Sequence, residues 1–369
     1  MPPKARVLIC DDSPLMRRVL SDLLTDGGLE VVAQVSDGAD LVAGVQQHKP
    51  DVVTLDVEMP RKDGLSALAD LMKVQPTPVI MCSTLTGKGA RESVKALQLG
   101  AVDVVQKPAL RLTPSAWGPT RDELVAKVRE AAMAKVRAIR PAPSRPAVAG
   151  RPAAPAPASA PPVSADLAAR ARGTGSPLVI IATSTGGPRA LHEVVPRLPG
   201  QLGCGVLIVQ HMPVGFTKTL AERLDSESAL TVREARSTDK ITPDVALLAP
   251  AGSHLEVSAV GATRLSDAPP IGNLKPRADI TISSAAKVYG SKVLLVVLTG
   301  MGNDGELGAR DLKRAGGRIL TEDERTCVIY GMPRAVKEAG LSDGVVPLDV
   351  MPLAIVETVA AWGRAKKAA

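Results

Sequence analysis

The apolar positions of this 369-residue chain fall into short continuous runs separated by segments of helical spacing. In the first third the runs cover 6–10, 29–35, 52–55, 79–82 and 102–105. Stretches 14–24, 38–47, 64–73, 89–99 and 121–139 repeat their apolar residues at a helical period. Short runs with no polar alternation, bounded by Gly, Pro and Asp, predict strands buried on both faces of a parallel sheet. Their regular alternation with helices predicts a doubly wound sheet. The second half has runs of the same kind at 178–181, 206–209 and 293–298. The expected fold class is therefore α/β, with two doubly wound parallel-sheet domains.

Between them the pattern disappears. From Pro141 to Val163, sixteen of twenty-three residues are Pro or Ala. Such a segment cannot bury enough surface to offset its ordering entropy, and its prolines favour extended backbone. This divides the chain into an N-terminal domain over 4–140, a Pro/Ala-rich linker over 141–173 and a C-terminal domain over 174–369. The linker also locates the charge. The chain carries a net +7, and the stretch from Lys135 to Arg172 holds seven Lys/Arg against Asp166 alone. The rest is nearly neutral and aromatics are only 1% of residues, so base stacking is poorly supplied and no nucleic-acid partner is expected. No run approaches the roughly 18 apolar residues that span a bilayer, so no direct membrane insertion is expected. The apolar start at Val7 is cut off by Asp11 and Asp12, unlike a signal peptide, and the cytoplasm is the expected location. Cys10, Cys82, Cys204 and Cys327 have no metal-ligand spacing and read as buried, reduced thiols.

Polar chemistry gathers where the strands end. In the first domain Asp11 and Asp12 follow the first strand, Asp56 the third, Ser83 the fourth, and Lys107 the fifth. Carboxylates collected at parallel strand ends suit a hard dication such as Mg²⁺. A metal beside a carboxylate lets that carboxylate accept a phosphoryl group, with Lys107 neutralising the developing charge. A single strand-end Asp commonly caps a loop, and Ser13-Pro14 reads as a helix start, but features at four strand ends argue for a site.

In the second domain the strand ends carry Ser184, His211 and Asp304. A Ser between a strand and Thr185-Gly186-Gly187-Pro188, with a helix expected over 190–198, lies near unpaired helix N-terminal amides. His211 follows Ser184 by 27 residues, about one βα unit, so neighbouring strands would bring them within reach. His211 would be the general base and Asp304 its orienter. His254, after Ala249-Pro250-Ala251-Gly252-Ser253, is the rival base or a substrate contact, whereas His48 belongs to the first domain and His192 to the helix after Ser184. The segment is not an α/β-hydrolase elbow, because Ala182 stands where that motif needs Gly. Gly300, Gly302 and Gly305 complete no Walker or dinucleotide motif, so no nucleotide cofactor is expected.

The first stretch resembles the receiver domain of two-component response regulators over about 125 residues. The resemblance implies that Asp56 is the phosphoacceptor, that Asp11, Asp12, Asp56 and the Glu58 carbonyl hold Mg²⁺, and that Ser83 and Lys107 contact the phosphoryl oxygens. Receivers often carry an aromatic switch residue three positions before the lysine; here it is Val104. The motifs S-T-G-G-P at 184–188, Q-H-M-P-V-G-F-T at 210–217, L-T-G-M-G-N-D-G at 298–305 and C-V-I-Y-G-M-P-R-A at 327–335 resemble those of the bacterial chemotaxis protein-glutamate methylesterases. That resemblance covers nearly the whole chain. It implies phosphorylation-activated hydrolysis of glutamyl methyl esters on chemoreceptor helices, with glutamine deamidation as a side activity and a histidine kinase as phosphodonor. Ser184, His211 and Asp304 would form the triad, with the amides of Thr185 and Met301 as oxyanion donors and no cofactor for hydrolysis. The 275–282 segment departs from the family's more common R-P-S-x-D-x-L-F, since Arg277 replaces the small Ser. The alternatives are a paralogue acting mainly as a deamidase or outside chemotaxis, and a phosphorylation-dependent interaction module with a dormant site.

Overall fold

The computed structural model describes residues 4–84, 87–107, 118–134 and 176–368. The expected linker at 141–173, and the part of the 121–139 helix beyond 134, lie outside them. Two parallel sheets organise the chain, as the continuous apolar runs predict. The first contains β1 (Arg6–Cys10), β2 (Glu30–Val35), β3 (Val52–Asp56), β4 (Val79–Ser83) and β5 (Asp103–Gln106), in the order β2-β1-β3-β4-β5. Its helices are α1 (Pro14–Asp26), α2 (Leu41–His48), α3 (Gly64–Val74), α4 (Gly87–Gln98) and α5 (Gly118–Ala132). Every residue of β3 and β4 is buried, consistent with helices on both faces. Helix α1 begins where Ser13 accepts the Met16 N–H at 3.2 Å and Pro14 occupies the first turn. Helix α2 starts three residues later than its apolar spacing suggests. Asp37 instead binds the Ala39 and Arg61 N–H groups and shapes a turn there.

The second sheet holds β6 (Leu178–Thr183), β7 (Gly205–Gln210), β8 (Thr231–Glu234), β9 (Val245–Leu248), β12 (Val293–Val297), β13 (Arg318–Glu322) and β14 (Gly344–Val346). Its order is β14-β13-β12-β6-β7-β9-β8, and all its pairings are parallel. An antiparallel hairpin of β10 (His254–Val257) and β11 (Thr263–Ser266) stands apart from it. The helices are α6 (Gly187–Val194), α7 (Thr217–Glu227), α8 (Ala278–Tyr289), α9 (Glu306–Arg314), α10 (Met332–Glu338) and α11 (Met351–Ala368). Helix α6 begins at Gly187 rather than at 190, because Pro188 is accepted in a first turn, and Val195–Arg197 continues only as a 3₁₀ turn.

Connectivity reverses between β1 and β3 in one sheet and between β12 and β6 in the other. Open parallel sheets form crevices at such switch points, outside the carboxyl ends of the strands. The two units also meet directly. Val94 and Leu97 of α4 belong to the same apolar cluster as Leu191 of α6 and Leu220 of α7. Beside this contact, Gln98 Nε2 lies 3.2 Å from His192 Nδ1 and donates to Glu227 Oε1 at 3.1 Å.

Candidate active site and acidic pocket

Thr183 pairs with Gln210 in the β6–β7 register, which places Ser184 beside His211. On the other flank the Ser184 N–H donates to the Thr299 carbonyl at 3.0 Å, extending the β6–β12 ladder. Three adjacent strands thus end in Ser184, His211 and the glycine-rich loop that carries Asp304. His211 Nε2 and Asp304 Oδ2 are 2.8 Å apart, with the two residues 7% and 2% exposed. That leaves Nδ1 as the ring nitrogen not engaged by Asp304.

Asp304 is held as an anion by more than the histidine. Its carboxylate accepts the Ala278 and Asp279 N–H groups at 2.7 and 3.0 Å, both at the start of α8. Burial by itself would raise its pKa. The His211 hydrogen bond and charge, with the two amides, instead pull it down to about 2.

The backbone around Ser184 is shaped by close approaches. Gly186 has φ +79, and a Cβ there would meet Val328 at 2.6 Å. A Cβ on Gly300 would come within 2.8 Å of the Ser184 Cβ. Gly300 is seated by the 327–335 motif, whose Gly331 and Met332 N–H groups donate to its carbonyl at 3.0 and 2.8 Å. Met301 is 41% exposed at the mouth of this loop, beside a cavity of about 540 Å³ that Asn303, Tyr330 and Arg334 also line.

Several supporting residues escaped the sequence reading. Gln210 donates to the Ser184 carbonyl at 2.9 Å, and Thr183 Oγ1 donates to the Thr299 carbonyl at 2.8 Å. Gln210 opens the 210–217 motif, and its place beside His211 is the sequence signal for this role. Glu322 accepts the Thr299 N–H at 2.8 Å and is fully buried, with nothing in its local sequence to announce it. Burial first, and then Asp323, raise its pKa from 4.5 to about 7 against the pull of Thr299, Thr326 and Cys327. Folding therefore favours its protonated form, and the folded state loses stability as pH rises from 4.5 through about 7. Glu322→Gln keeps the acceptor without the charge. We expect it to raise the unfolding free energy by roughly 3 kcal/mol at about pH 8 and hardly at all near pH 4, read from urea midpoints.

His254, the rival base, is fully buried on β10 with Nε2 3.2 Å from the Pro269 carbonyl, whereas the Asp304 carboxylate engages His211. All four cysteines are free and buried, and burial raises each thiol pKa, that of Cys204 to about 12.

In the first sheet Asp11, Asp12 and Asp56 place carboxylate oxygens within 4.8 Å of one another. An all-oxygen, anionic donor set of this size fits a hard dication. Lys107 Nζ lies 2.7 Å from both Asp11 and Asp56. Burial and the Asp11 charge raise the Asp56 pKa, while Lys107 opposes them. Ser83 is buried at the end of β4, and its carbonyl accepts the Lys107 N–H at 2.8 Å. Val104 is fully buried on β5, in the place of the aromatic switch.

The N-terminal unit reaches the loop after Ser184. The Gly186 N–H donates to the Val102 carbonyl at 3.1 Å. Thr185 Oγ1 lies 3.1 Å from Asp103 Oδ2 and 2.9 Å from Glu130 Oε2. The hydroxyl is the donor toward both carboxyls and shares its single hydrogen between them. Burial first, and then Asp103, raise the Glu130 pKa to about 7, against the pull of Thr185 and Lys127. Above about pH 7 it ionises beside Asp103 and the contact weakens. Thr185→Val would remove the hydroxyl; Glu130→Gln instead keeps a neutral acceptor for it. We expect the basal hydrolytic rate of the parent, relative to that of Glu130→Gln, to rise between about pH 6 and about pH 8. A constant ratio would leave Glu130 without this role.

Comparison with known proteins follows the same division. The CheB methylesterase family model matches residues 179–355, and the response regulator receiver domain model matches residues 7–112. The protein-glutamate methylesterase/protein-glutamine glutaminase of Symbiobacterium thermophilum is 45% identical over 364 residues, covering 96% of this chain and 97% of that protein. The protein of the same name from Pyrococcus abyssi is 40% identical over 377 residues, covering 96% and 94%. The crystal structure of the Thermotoga maritima CheB methylesterase catalytic domain is 42% identical, with a TM-score of 0.49, covering 50% of this chain and all of that one. By near-full-length identity with the Symbiobacterium and Pyrococcus proteins, the chain belongs to the protein-glutamate methylesterase/protein-glutamine glutaminase family.

Proposed function

We propose that the chain hydrolyses γ-glutamyl methyl esters on chemoreceptor helices, under control of phosphorylation at Asp56. The observation that carries this is the buried 2.8 Å His211–Asp304 pair on strand ends adjacent to Ser184. In this reading residues 4–140 form the receiver, 141–173 the linker and 174–369 the catalytic domain. His211 takes the Ser184 hydroxyl proton through Nδ1 as Oγ attacks the ester carbonyl. Asp304 keeps the imidazole oriented and offsets the charge of the imidazolium. The oxyanion lies against the Thr185 and Met301 amides. His211 returns its proton to the leaving methoxide, methanol departs, and a water activated by the same imidazole clears the acyl-enzyme. A glutamine side chain entering by the same route would release ammonia.

Asp11, Asp12, Asp56 and the Glu58 carbonyl would hold Mg²⁺, which supplies charge neutralisation for phosphoryl transfer when bound. Lys107 and Ser83 would orient the phosphoryl oxygens, and a histidine kinase would be the phosphodonor. Among the described residues no helix is long and apolar enough to cross a membrane, and we place the enzyme in the cytoplasm, acting on the receptors' cytoplasmic helices. The test is methanol release from methylated receptor by the purified chain, with and without a small phosphodonor. Release that the phosphodonor increases supports the reading; none under either condition would overturn it and favour a dormant interaction module.

A further inference from the structure

We propose that Arg277 is a positioning residue for hydrolysis, a cation shared between the carboxylates of Asp279 and Asp304 that keeps Asp304 aimed at His211. The inference rests on the triad reading above and adds a fourth side chain to it. Arg277 Nε and Nη2 donate to Asp279 Oδ2 at 3.1 and 2.9 Å. Nε also lies 3.4 Å from Asp304 Oδ1, the oxygen not engaged by His211, and Nη1 donates to the Ile271 carbonyl at 3.0 Å. Its side chain is 13% exposed, so this charge is poorly screened.

The need for a cation follows from the surroundings. Asp279 Oδ1 accepts the Gly305 and Gly308 N–H groups at 2.9 Å each, which fastens the loop carrying Asp304 to the start of α8. The same bonds bring two buried carboxylates into one corner, and like charges there disfavour joint ionisation. Asp279 shows the strain, its pKa raised by burial and by Asp304, while Asp304 remains low. Without Arg277, relief would come by protonation or rotation of one carboxyl. Either change in Asp304 weakens its hold on the imidazole. A planar fork reaching two carboxylates and a carbonyl is a geometry that lysine does not reproduce.

A purely structural role, tying the 271 turn to α8, makes a different prediction, and charge separates the two. Arg277→Met preserves bulk and removes the cation; we expect kcat on a glutamyl methyl ester peptide to fall about tenfold or more with KM little changed. Adding Asp279→Asn retains an acceptor for Gly305 and Gly308 but removes the second carboxylate. The double variant should recover to within about threefold of the parent. A double variant no faster than Arg277→Met would assign the loss to the tether and overturn the inference, as would an Arg277→Met rate equal to the parent's. If the Met variant does not fold, Arg277→Gln, which can still donate to the Ile271 carbonyl, carries the same pair of outcomes. Asp304→Asn is the control: full activity there would remove the triad reading itself. An inactive Asp304→Asn beside an unaffected Arg277 variant would sink only the role of Arg277.

Discussion

Replacing Ser184 by alanine is expected to lower ester hydrolysis by about 10³-fold or more while leaving the fold intact. The expectation rests on what the residue contributes apart from its hydroxyl. Its backbone N–H and carbonyl serve the β6–β12 ladder, Gln210 and Gly187, and none of these bonds involves Oγ. Alanine keeps the Cβ against which Gly300 is packed. The variant therefore loses the attacking oxygen and little else, and its unfolding midpoint should match the parent's. Activity within tenfold of the parent would take the nucleophile role from Ser184. His211→Ala should fall into the same range. His254→Ala leaves the Asp304–imidazole pair untouched, so its effect should appear in stability through the cavity left under β10 rather than in the chemistry.

Removing residues 1–173 should raise basal hydrolysis by about 5- to 150-fold and make it insensitive to phosphodonor. In the intact chain the receiver's Val102 carbonyl occupies the Gly186 amide, and Asp103 and Glu130 hold the Thr185 hydroxyl. A tethered domain acts at millimolar effective concentration, so even a weak interface stays largely occupied. Phosphorylation then needs a differential of only about 1–3 kcal/mol between the docked and released arrangements. Initial rates on methylated receptor, full chain against a folded 174–369 fragment, decide the matter. A fragment no faster than the unphosphorylated chain would rule out inhibition by the receiver. In the full chain Asp56→Asn should keep the basal rate and lose all stimulation, since the amide cannot accept a phosphoryl group.

What the sequence made legible has a common physical basis. Buried parallel strands leave continuous apolar runs, and their C-terminal neighbours are the crevice residues of any open sheet. That is why Ser184, His211, Asp304 and the acidic pocket could be read from strand ends alone. The positions that escaped are long-range. Thr185 meets Asp103 and Glu130 across 82 and 55 residues, and Glu322 meets Thr299 across 23, with no local periodicity to reveal either. Arg277 was visible only as a departure from a motif; its value depends on a corner assembled by three separate segments. The helix after Ser184 starts three residues before its apolar spacing predicts, because proline fits its first turn. A turn before His254 marks it as a rival base, but that turn feeds a hairpin that buries the ring.

Thr185 faces two ways, with its hydroxyl gripped by the N-terminal unit and its main chain bordering the nucleophile. Recombination between regulators is constrained by that double allegiance. A foreign receiver fused to this hydrolase, however well it accepted phosphate, would arrive without the acids that Thr185 meets. We expect such a graft to accept phosphate and yet to hydrolyse ester as fast without it as with it. Interchangeable parts, in this chain, would have to travel as a pair.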